Sequence, residues 1–586
     1  MKPLLRLLPY LRRYRSTVLW GLLTVVMSNL FTVFQPRLVG LAIDKLKVGL
    51  ETKQIDENGL LVYAGWVVAL SLVAGFFTFL TRQTIIVVSR HVEFDLRNDF
   101  LSHIQKLPLS YFQNTPTGDL MAHATNDISA VRNALGPGIM YPTDTLMTFT
   151  MALAMMLWAD WELTLLALIP LPLVSYAVYR LGKLIHVKFE DRQEQFSLLT
   201  QRAQENLSGI RIVKAYVREA YEIARFRTLS FDYLKKNLVL ARIQSVMWPL
   251  MFMLVGCSLV ITIYFGGKQV IDGTITIGTL TAFLGYLSLL IWPMIAFGWV
   301  TNILQQGAAS MARLGKIYDA VPDIRDTPDT SSSIRSIEGT IEFRNVSFTH
   351  KNAATPALGA INLRIPKGTT LAVVGYTGSG KSTLVNLIPR LYDVTEGAVL
   401  IDGVDVRKIP LEVLRNNIGY VQQETFLFSD SVLENISYGV DNGTVEHVDH
   451  AAEIAQIASE IRDFPKGFET MIGERGITLS GGQKQRTSIA RAIIRDPRIL
   501  ILDDALSSVD TFTEDEILRK LRSVMKDRTS IIISHRISTV KGADHIVVLD
   551  GGRIVEDGTH ETLVSLGGIY ADLYEKQKLE EELEKL

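Results

Sequence analysis

A membrane-embedded helical half followed by a soluble α/β half is the fold class this sequence predicts, and three observations predict it. Residues 1–310 are apolar with long uncharged runs, whereas residues 340–586 have the mixed composition of a soluble domain. The octapeptide Gly375-Tyr376-Thr377-Gly378-Ser379-Gly380-Lys381-Ser382 matches the phosphate-cradling pattern G-x-x-x-x-G-K-[ST]. Further along stands Leu479-Ser480-Gly481-Gly482-Gln483, and then Asp503, Asp504 and His535, each at the end of an apolar run.

A chain of 586 residues exceeds a single core, so two or more domains are expected. The net charge of −1 gives no basic excess that would point to nucleic acid. A single cysteine, Cys257, excludes an intrachain disulfide framework or a cysteine-based metal site. Lys2, Arg6, Arg12, Arg13 and Arg15 stand at the N-terminus without an acid among them. A secretory leader would need a small-residue cleavage site after a short apolar stretch, and none is seen. The start is therefore expected to be uncleaved and to face the cytoplasm. Pro3 to Tyr14, with leucines at 4, 5, 7, 8 and 11, reads as an amphipathic segment lying on the membrane, a disordered basic tail being the alternative.

About 20 apolar residues at ~1.5 Å rise cross the ~30 Å hydrocarbon core. Thr17 to Pro36 and Leu60 to Thr81 carry no charge, and further spans fall near 138–159, 162–182, 243–266 and 274–300, six in all. Asp160-Trp161-Glu162 makes a tight polar hairpin between the third and fourth. About 55–60 charged, helix-patterned residues follow the second span, and as many follow the fourth; few Gly or Pro interrupt them, which favours long cytoplasmic helices over loops.

In the soluble half, Thr340–Phe348 alternates like an opening strand, and Leu371–Val374 is a short buried strand feeding the glycine-rich loop. The glycines let main-chain N–H groups turn around polyphosphate, Lys381 reaches the outer phosphates, and the Ser382 hydroxyl suits Mg²⁺. The helix opening at Ser382 favours anions at its N-terminus. Ile499–Asp503 and Ile531–His535 are buried strands, the first ending in a carboxylate and the second in an imidazole.

These motifs, in this order, resemble the ATPase domain of ABC transporters. With six spans and long intracellular helices, nearly the whole chain is similar to an exporter-type ABC half-transporter. The resemblance implies residues 1–315 as an all-α transmembrane domain, 316–339 as linker, 340–575 as an α/β P-loop nucleotide-binding domain and 576–586 as a charged helical tail. It implies ATP and Mg²⁺ as the small molecules bound. Gly375, Thr377, Gly378, Ser379, Gly380, Lys381, Ser382 and Thr383 would hold the nucleotide. Ser382, Asp503 and Gln423, of the Q-loop-like Val421-Gln422-Gln423-Glu424, would hold the metal. Gln423, Asp504 and His535 would serve catalysis. His350 takes the place of the aromatic that stacks on adenine, usually Tyr, with a plain surface-loop residue as the rival reading. Ser480, Gly481, Gly482 and Gln483 would close over ATP held by another chain, so a second half-transporter is implied as partner. Gly473-Glu474-Arg475-Gly476 resembles the exporter X-loop, and Ser507-Ser508-Val509-Asp510 the D-loop. Coupling helices are expected near Ser110–Thr117 and Gly209–Glu219, with Tyr111, Phe112, Ile212, Val213 and Tyr216 as apolar contacts or as packing within their own bundle.

Active members of the family have Glu where this chain has Asp504. Intrinsic acidity differs by only about 0.4 pKa units. Reach differs by a methylene, and a misplacement of roughly 1 Å can cost on the order of 10²-fold. An intact signature beside a shortened Walker B carboxylate implies a bacterial heterodimer in which this chain's own site hydrolyses ATP slowly; a slow homodimer is the alternative. The function implied is ATP-driven export of hydrophobic or amphiphilic, multidrug-like compounds across the cell membrane, with the ATPase domain cytoplasmic. Import of metal chelates, homodimeric lipid or peptide export, and a non-transporting switch are the alternatives. Met140, Met147, Met151, Met155, Met156, Met247, Met251 and Met253, with Trp248, Trp292 and Trp299, suit an adaptable apolar cavity or simple helix packing. Arg37, Asp144, Gln305 and Gln306 are costly in or near spans unless they face water or partners. The tail from Tyr570 to Leu586 reads as a solvated helix or a dimer contact.

Overall fold

The computed structural model describes residues 2–54, 56–351, 353–441, 443–473, 479–509 and 511–584, apart from the side chains at 171, 174, 175, 178, 179, 248, 294, 295, 297, 511, 512 and 580–584. The X-loop residues Glu474, Arg475 and Gly476, and Asp510 of the D-loop, lie outside the described residues. Two compact units emerge. One comprises residues 1–105 and 117–320, the other 106–116 and 321–586.

The first unit is helical. Its long elements are α1 (Arg15–Thr52), α2 (Glu57–Thr81) running through a π-helical turn into α3 (Val87–Ile104), α4 (Pro137–Ala159), α5 (Trp161–Leu168), α6 (Pro170–Ser208), the short α7 (Ile210–Ala215), α8 (Glu219–Ile271) and α9 (Ile277–Tyr318). Polar residues between the apolar runs start the helices. Asp56 accepts from Gly59 N at 2.8 Å, Asp160 from Leu163 N at 2.7 Å, and Thr276 from Thr279 N at 3.0 Å, which satisfies first-turn donors. Ala152, Met156, Leu163, Phe283, Tyr286 and Leu290 form a core where α4, α5 and α9 meet. Met156 is thus a packing residue, and Met140 and Met251 are buried as well.

Among the described residues four helices are long and apolar enough to cross a membrane: Arg15–Thr52, Glu57–Ile104, Glu219–Ile271 and Ile277–Tyr318. The expectation of six spans is met at four of its places. At 138–159 the chain is helical, but Pro142, Asp144 and four threonines dilute the apolar run of α4. At 162–182 the helix divides at Ile169–Pro170 into α5 and α6, because a proline removes a donor and crowds the preceding turn.

The segment expected at Pro3 to Tyr14 is helical up to its cap at Tyr14, as 3₁₀ over Lys2–Leu7 and α over Leu8–Arg13. Leu7 is buried, and Arg6 forms a forked pair with Asp319 at 3.1 and 2.7 Å, so the segment packs on its own unit.

The second unit carries two sheets. The smaller has the antiparallel order β2-β1-β4-β5, from β1 (Ile341–Phe348), β2 (Leu358–Ile365), β4 (Glu396–Ile401) and β5 (Val404–Asp405). The larger has the order β10-β9-β3-β8-β7-β6, from β3 (Thr370–Val374), β6 (Ile418–Val421), β7 (Ile499–Asp503), β8 (Thr529–Ile533), β9 (His545–Asp550) and β10 (Arg553–Gly558), parallel except for its β10 edge. Both faces are covered. Ala372, Val374, Leu500, Leu502 and Ile532 enter one core, and Leu371, Val373, Ile499, Ile501, Ile531 and Ile533 the other. Two-sided burial is why these strands read as unbroken apolar runs. Tyr570, placed by sequence in a solvated tail, belongs to the first of these cores and bonds His560 Nδ1 at 2.8 Å.

Candidate functional site

Parallel register sets the carboxyl ends of four strands side by side. Val373 pairs with Ile533, Asp503 with Ile533, and Val421 with Leu502. The glycine-rich loop after β3, Gln423 after β6, Asp503 and Asp504 at the end of β7, and His535 after β8 therefore share one edge, where open α/β sheets bind ligands.

Gly375 and Gly380 have φ of +149° and +101°, and a Cβ on them would meet the Leu549 and Ala357 carbonyl oxygens at 2.1 and 2.7 Å. Only glycine fits there. Gly378, Thr377 and Tyr376 are exposed at the rim of the loop. The helix α10 (Lys381–Asn386) follows, carrying Ser382 and Thr383, both half-buried, in its first turn. Lys381 is buried, and its ammonium donates to the carbonyls of Gly375 and Tyr376 at 2.8 Å each. Burial pulls its pKa below the ordinary value, against the opposing pull of the Asp503 and Asp504 carboxylates.

Ser382 Oγ donates to Asp503 Oδ1 at 3.2 Å. Burial pushes the Asp503 carboxyl above its usual range and Asp504 adds to this, while the Ser382 hydroxyl, Lys381 and His535 oppose it. An acid strained in this direction gains from a cation. The buried Ser379 hydroxyl has no partner among the described residues, as a donor directed toward a phosphate cradle would not. This donor set fits a nucleotide with its Mg²⁺.

Asp504 lies just past β7 at φ +49°, a left-handed conformation that short polar side chains tolerate. Its N–H donates to Ile533 O at 2.9 Å. Gln423 and His535 are exposed at the same edge. His350 is held edge-on by Phe348 and Tyr392, at ring distances of 4.8 and 5.5 Å. Tyr392 is itself buried, and the Gln113 side chain, from the 106–116 segment grouped with this unit, bonds toward its hydroxyl.

The second motif lies apart. Ser480 caps α11 (Gly481–Ile493) in a reciprocal box: its hydroxyl accepts from Gln483 N at 3.2 Å, and Gln483 Oε1 accepts from Ser480 N at 2.9 Å. Gln483 Nε2 donates to Glu460 at 2.8 Å. Ser480 and Gly481 are exposed and Gly482 half-buried, and among the described residues no hydrogen bond links them to the loop at 375–382. Two residues escaped the sequence reading. Buried Gln485 donates to Ser507 Oγ at 3.0 Å and accepts from Ser508 N at 2.9 Å, tying α11 to the D-loop. Gln577, in the tail helix α12 (Ile569–Glu584), accepts from Ile537 N at 2.7 Å and donates to His535 O. A glutamine in a charged helix carries no sequence signal, because its role depends on which loop lies beside it.

A helical membrane unit coupled by chain to a P-loop nucleotide-hydrolase unit defines the class: an ATP-dependent membrane transporter subunit. Residues 18–294 match the family model described as the ABC transporter transmembrane region, and residues 358–507 the one described as ABC transporter. The probable multidrug resistance ABC transporter ATP-binding/permease protein YheI of Bacillus subtilis is 38% identical, over 96% of this chain and 95% of that protein. The multidrug resistance-like ATP-binding protein MdlA of Escherichia coli is 35% identical over 98% and 96%, and an ATP-dependent lipid A-core flippase of Syntrophus aciditrophicus 39% over 88% and 86%. The solved structure of a bacterial Atm1-family ABC exporter with ATP bound matches with a TM-score of 0.78 at 27% identity, over 96% of this chain and 99% of that one. The chain belongs to the ABC transporter family as an exporter half-transporter. It is an integral membrane protein whose α/β domain binds ATP and couples its hydrolysis to transport.

Proposed function

We propose that this chain is the slow-site subunit of a heterodimeric exporter of hydrophobic or amphiphilic, multidrug-like compounds, with six spans in a bacterial cell membrane and the ATPase domain in the cytoplasm. The observation that carries the reading is Asp504, one methylene shorter than the glutamate usual in active relatives, in a chain whose Leu479–Gln483 signature is complete. The division into residues 1–315, 316–339, 340–575 and 576–586 belongs to the same reading. The substrate class is supported by the names of the relatives, and four of the six spans by helices long and apolar enough to cross a membrane.

In this reading the glycines from 375 to 380 and the main chain at Lys381–Thr383 wrap the phosphates, and Lys381 exchanges its two carbonyl partners for phosphate oxygens. His350 offers its ring to adenine. Ser382, Asp503 and Gln423 would hold Mg²⁺, which when bound supplies charge neutralisation at the β- and γ-phosphates. Asp504 polarises the attacking water poorly for want of reach, and His535 contacts the γ-phosphate. Ser480, Gly481, Gly482 and Gln483 serve the partner's nucleotide. Ile212, Tyr216 and Val217, on and just after α7, are 66%, 75% and 81% exposed, a surface suited to covering by a second chain.

The test is hydrolysis by the purified chain alone and together with a half-transporter carrying Glu after its Walker B aspartate. Turnover is low alone and rises strongly with the partner; robust turnover by the chain alone sinks the heterodimer reading. The flippase relative keeps a homodimeric lipid exporter as the second reading.

A further inference from the structure

We propose that Asp144, oriented by Asn29, is the recognition site for the positively charged group of transported compounds. This rests on the exporter reading above and names the charge that its substrates carry. Asp144 lies about two turns inside α4, facing α1. Its Oδ1 accepts from Asn29 Nδ2 at 2.8 Å. The Asn29 amide is committed on every other side as well: it donates to Val25 O at 3.0 Å and accepts from the Thr148 hydroxyl, and it is buried. The carboxylate is therefore fixed in direction by a fully engaged amide.

No cation answers it. Among the described residues no Lys, Arg or His forms an ion pair with Asp144, and its second oxygen accepts no hydrogen bond. Arg37, on the same helix as Asn29 but about two turns further along, instead stacks over Trp158 at 4.9 Å. The hydroxyl of the neighbouring Thr145 is buried and without a partner among the described residues.

A carboxylate at membrane depth with no countercharge is costly, and such groups face a water-lined path or a ligand rather than lipid. Asp144 is half-buried, so one side is open. One turn away Tyr141 meets Trp299 edge-to-face at a ring distance of 4.9 Å. A carboxylate beside an aromatic pair is the chemistry that holds a lipophilic cation, through charge and through ring faces together. It offers nothing to an anion and little to a neutral compound.

The experiment uses the full chain assembled with its partner half-transporter in inside-out vesicles, with tetraphenylphosphonium as cation and triphenylphosphine oxide as an uncharged counterpart. Asp144→Asn keeps the volume and an acceptor for Asn29. It raises the KM for the cation about tenfold relative to that for the oxide, and Asp144→Glu returns most of the difference. In the wild-type complex tetraphenylphosphonium, but not the oxide, protects Asp144 from carbodiimide labelling read by mass spectrometry, a measurement that needs no variant. Equal shifts for both compounds, no shift for either, or protection by both or neither overturns the assignment. A wild-type complex that accumulates neither compound overturns the exporter reading with it, whereas normal wild-type transport unchanged by Asp144→Asn overturns this inference alone.

Discussion

The side-chain amide of Gln577 donates to the main-chain carbonyl of His535, and its oxygen accepts from Ile537 N two residues on. One side chain from the tail helix thus grips the switch loop on both sides of Arg536. Gln577→Ala removes both bonds and leaves their main-chain partners unanswered, at about 1–3 kcal/mol. Thermal unfolding of the full chain falls accordingly, and the slow ATP turnover of the chain alone drops several-fold because the imidazole is no longer held in place. Unchanged turnover with lowered stability assigns Gln577 to packing alone.

Gly481 and Asp504 are expected to behave oppositely. A Cβ at Gly481 stands 3.3 Å from the Ser508 Cβ, a tight contact that a small shift relieves, so Gly481→Ala folds. In the heterodimer it abolishes hydrolysis by blocking approach to the partner's γ-phosphate. Asp504→Asn costs little there, since reach has already removed most of that carboxylate's power. Steady-state turnover decides; equal losses from both changes remove the division of labour between the two sites.

Gly380 carries a different lesson. Its Cβ would meet main chain, the Ala357 oxygen at 2.7 Å, at a φ of +101°. Gly380→Ala therefore strains the loop by about 1–3 kcal/mol and weakens nucleotide binding without touching Lys381. Fluorescent-nucleotide titration reads the affinity, and limited proteolysis shows whether the rest of the domain is intact.

Asp127 predicts a pH effect. Burial raises the Asp127 pKa, but hydrogen bonds from Arg313, His123 and Ser310 outweigh it and hold the carboxyl below its ordinary value. Arg313 Nε approaches at 3.0 Å, Ser310 Oγ at 2.8 Å and His123 Nδ1 at 2.6 Å. A carboxylate with a depressed folded pKa contributes stability that is present above its unfolded value, near ~3.9, and is lost as pH falls through the folded value. Asp127→Asn lowers stability at neutral pH by about 1–2 kcal/mol, discounted because Arg313 is partly exposed. It also flattens the acid limb of stability against pH, measured by denaturation between neutrality and about pH 3.

The motifs were legible in the sequence because each is contiguous and each rests on a local rule. Glycines at fixed offsets make a phosphate loop, an apolar run buried on both faces makes a central strand, and Ser480 with Gln483 makes a capping box at a spacing of three. Span assignment was weaker. At α4 hydropathy is diluted by polar residues, and at α5–α6 the run is broken before Pro170. Tertiary structure alone decided which distant groups meet. Parallel register brings Ser382 to Asp503, 121 positions apart. Asn29 reaches Asp144 across 115 positions, and the tail helix delivers Gln577 to His535. Side-chain chemistry and short-range periodicity are written residue by residue; the pairing of far segments depends on burial and register summed over whole elements, which no local pattern records.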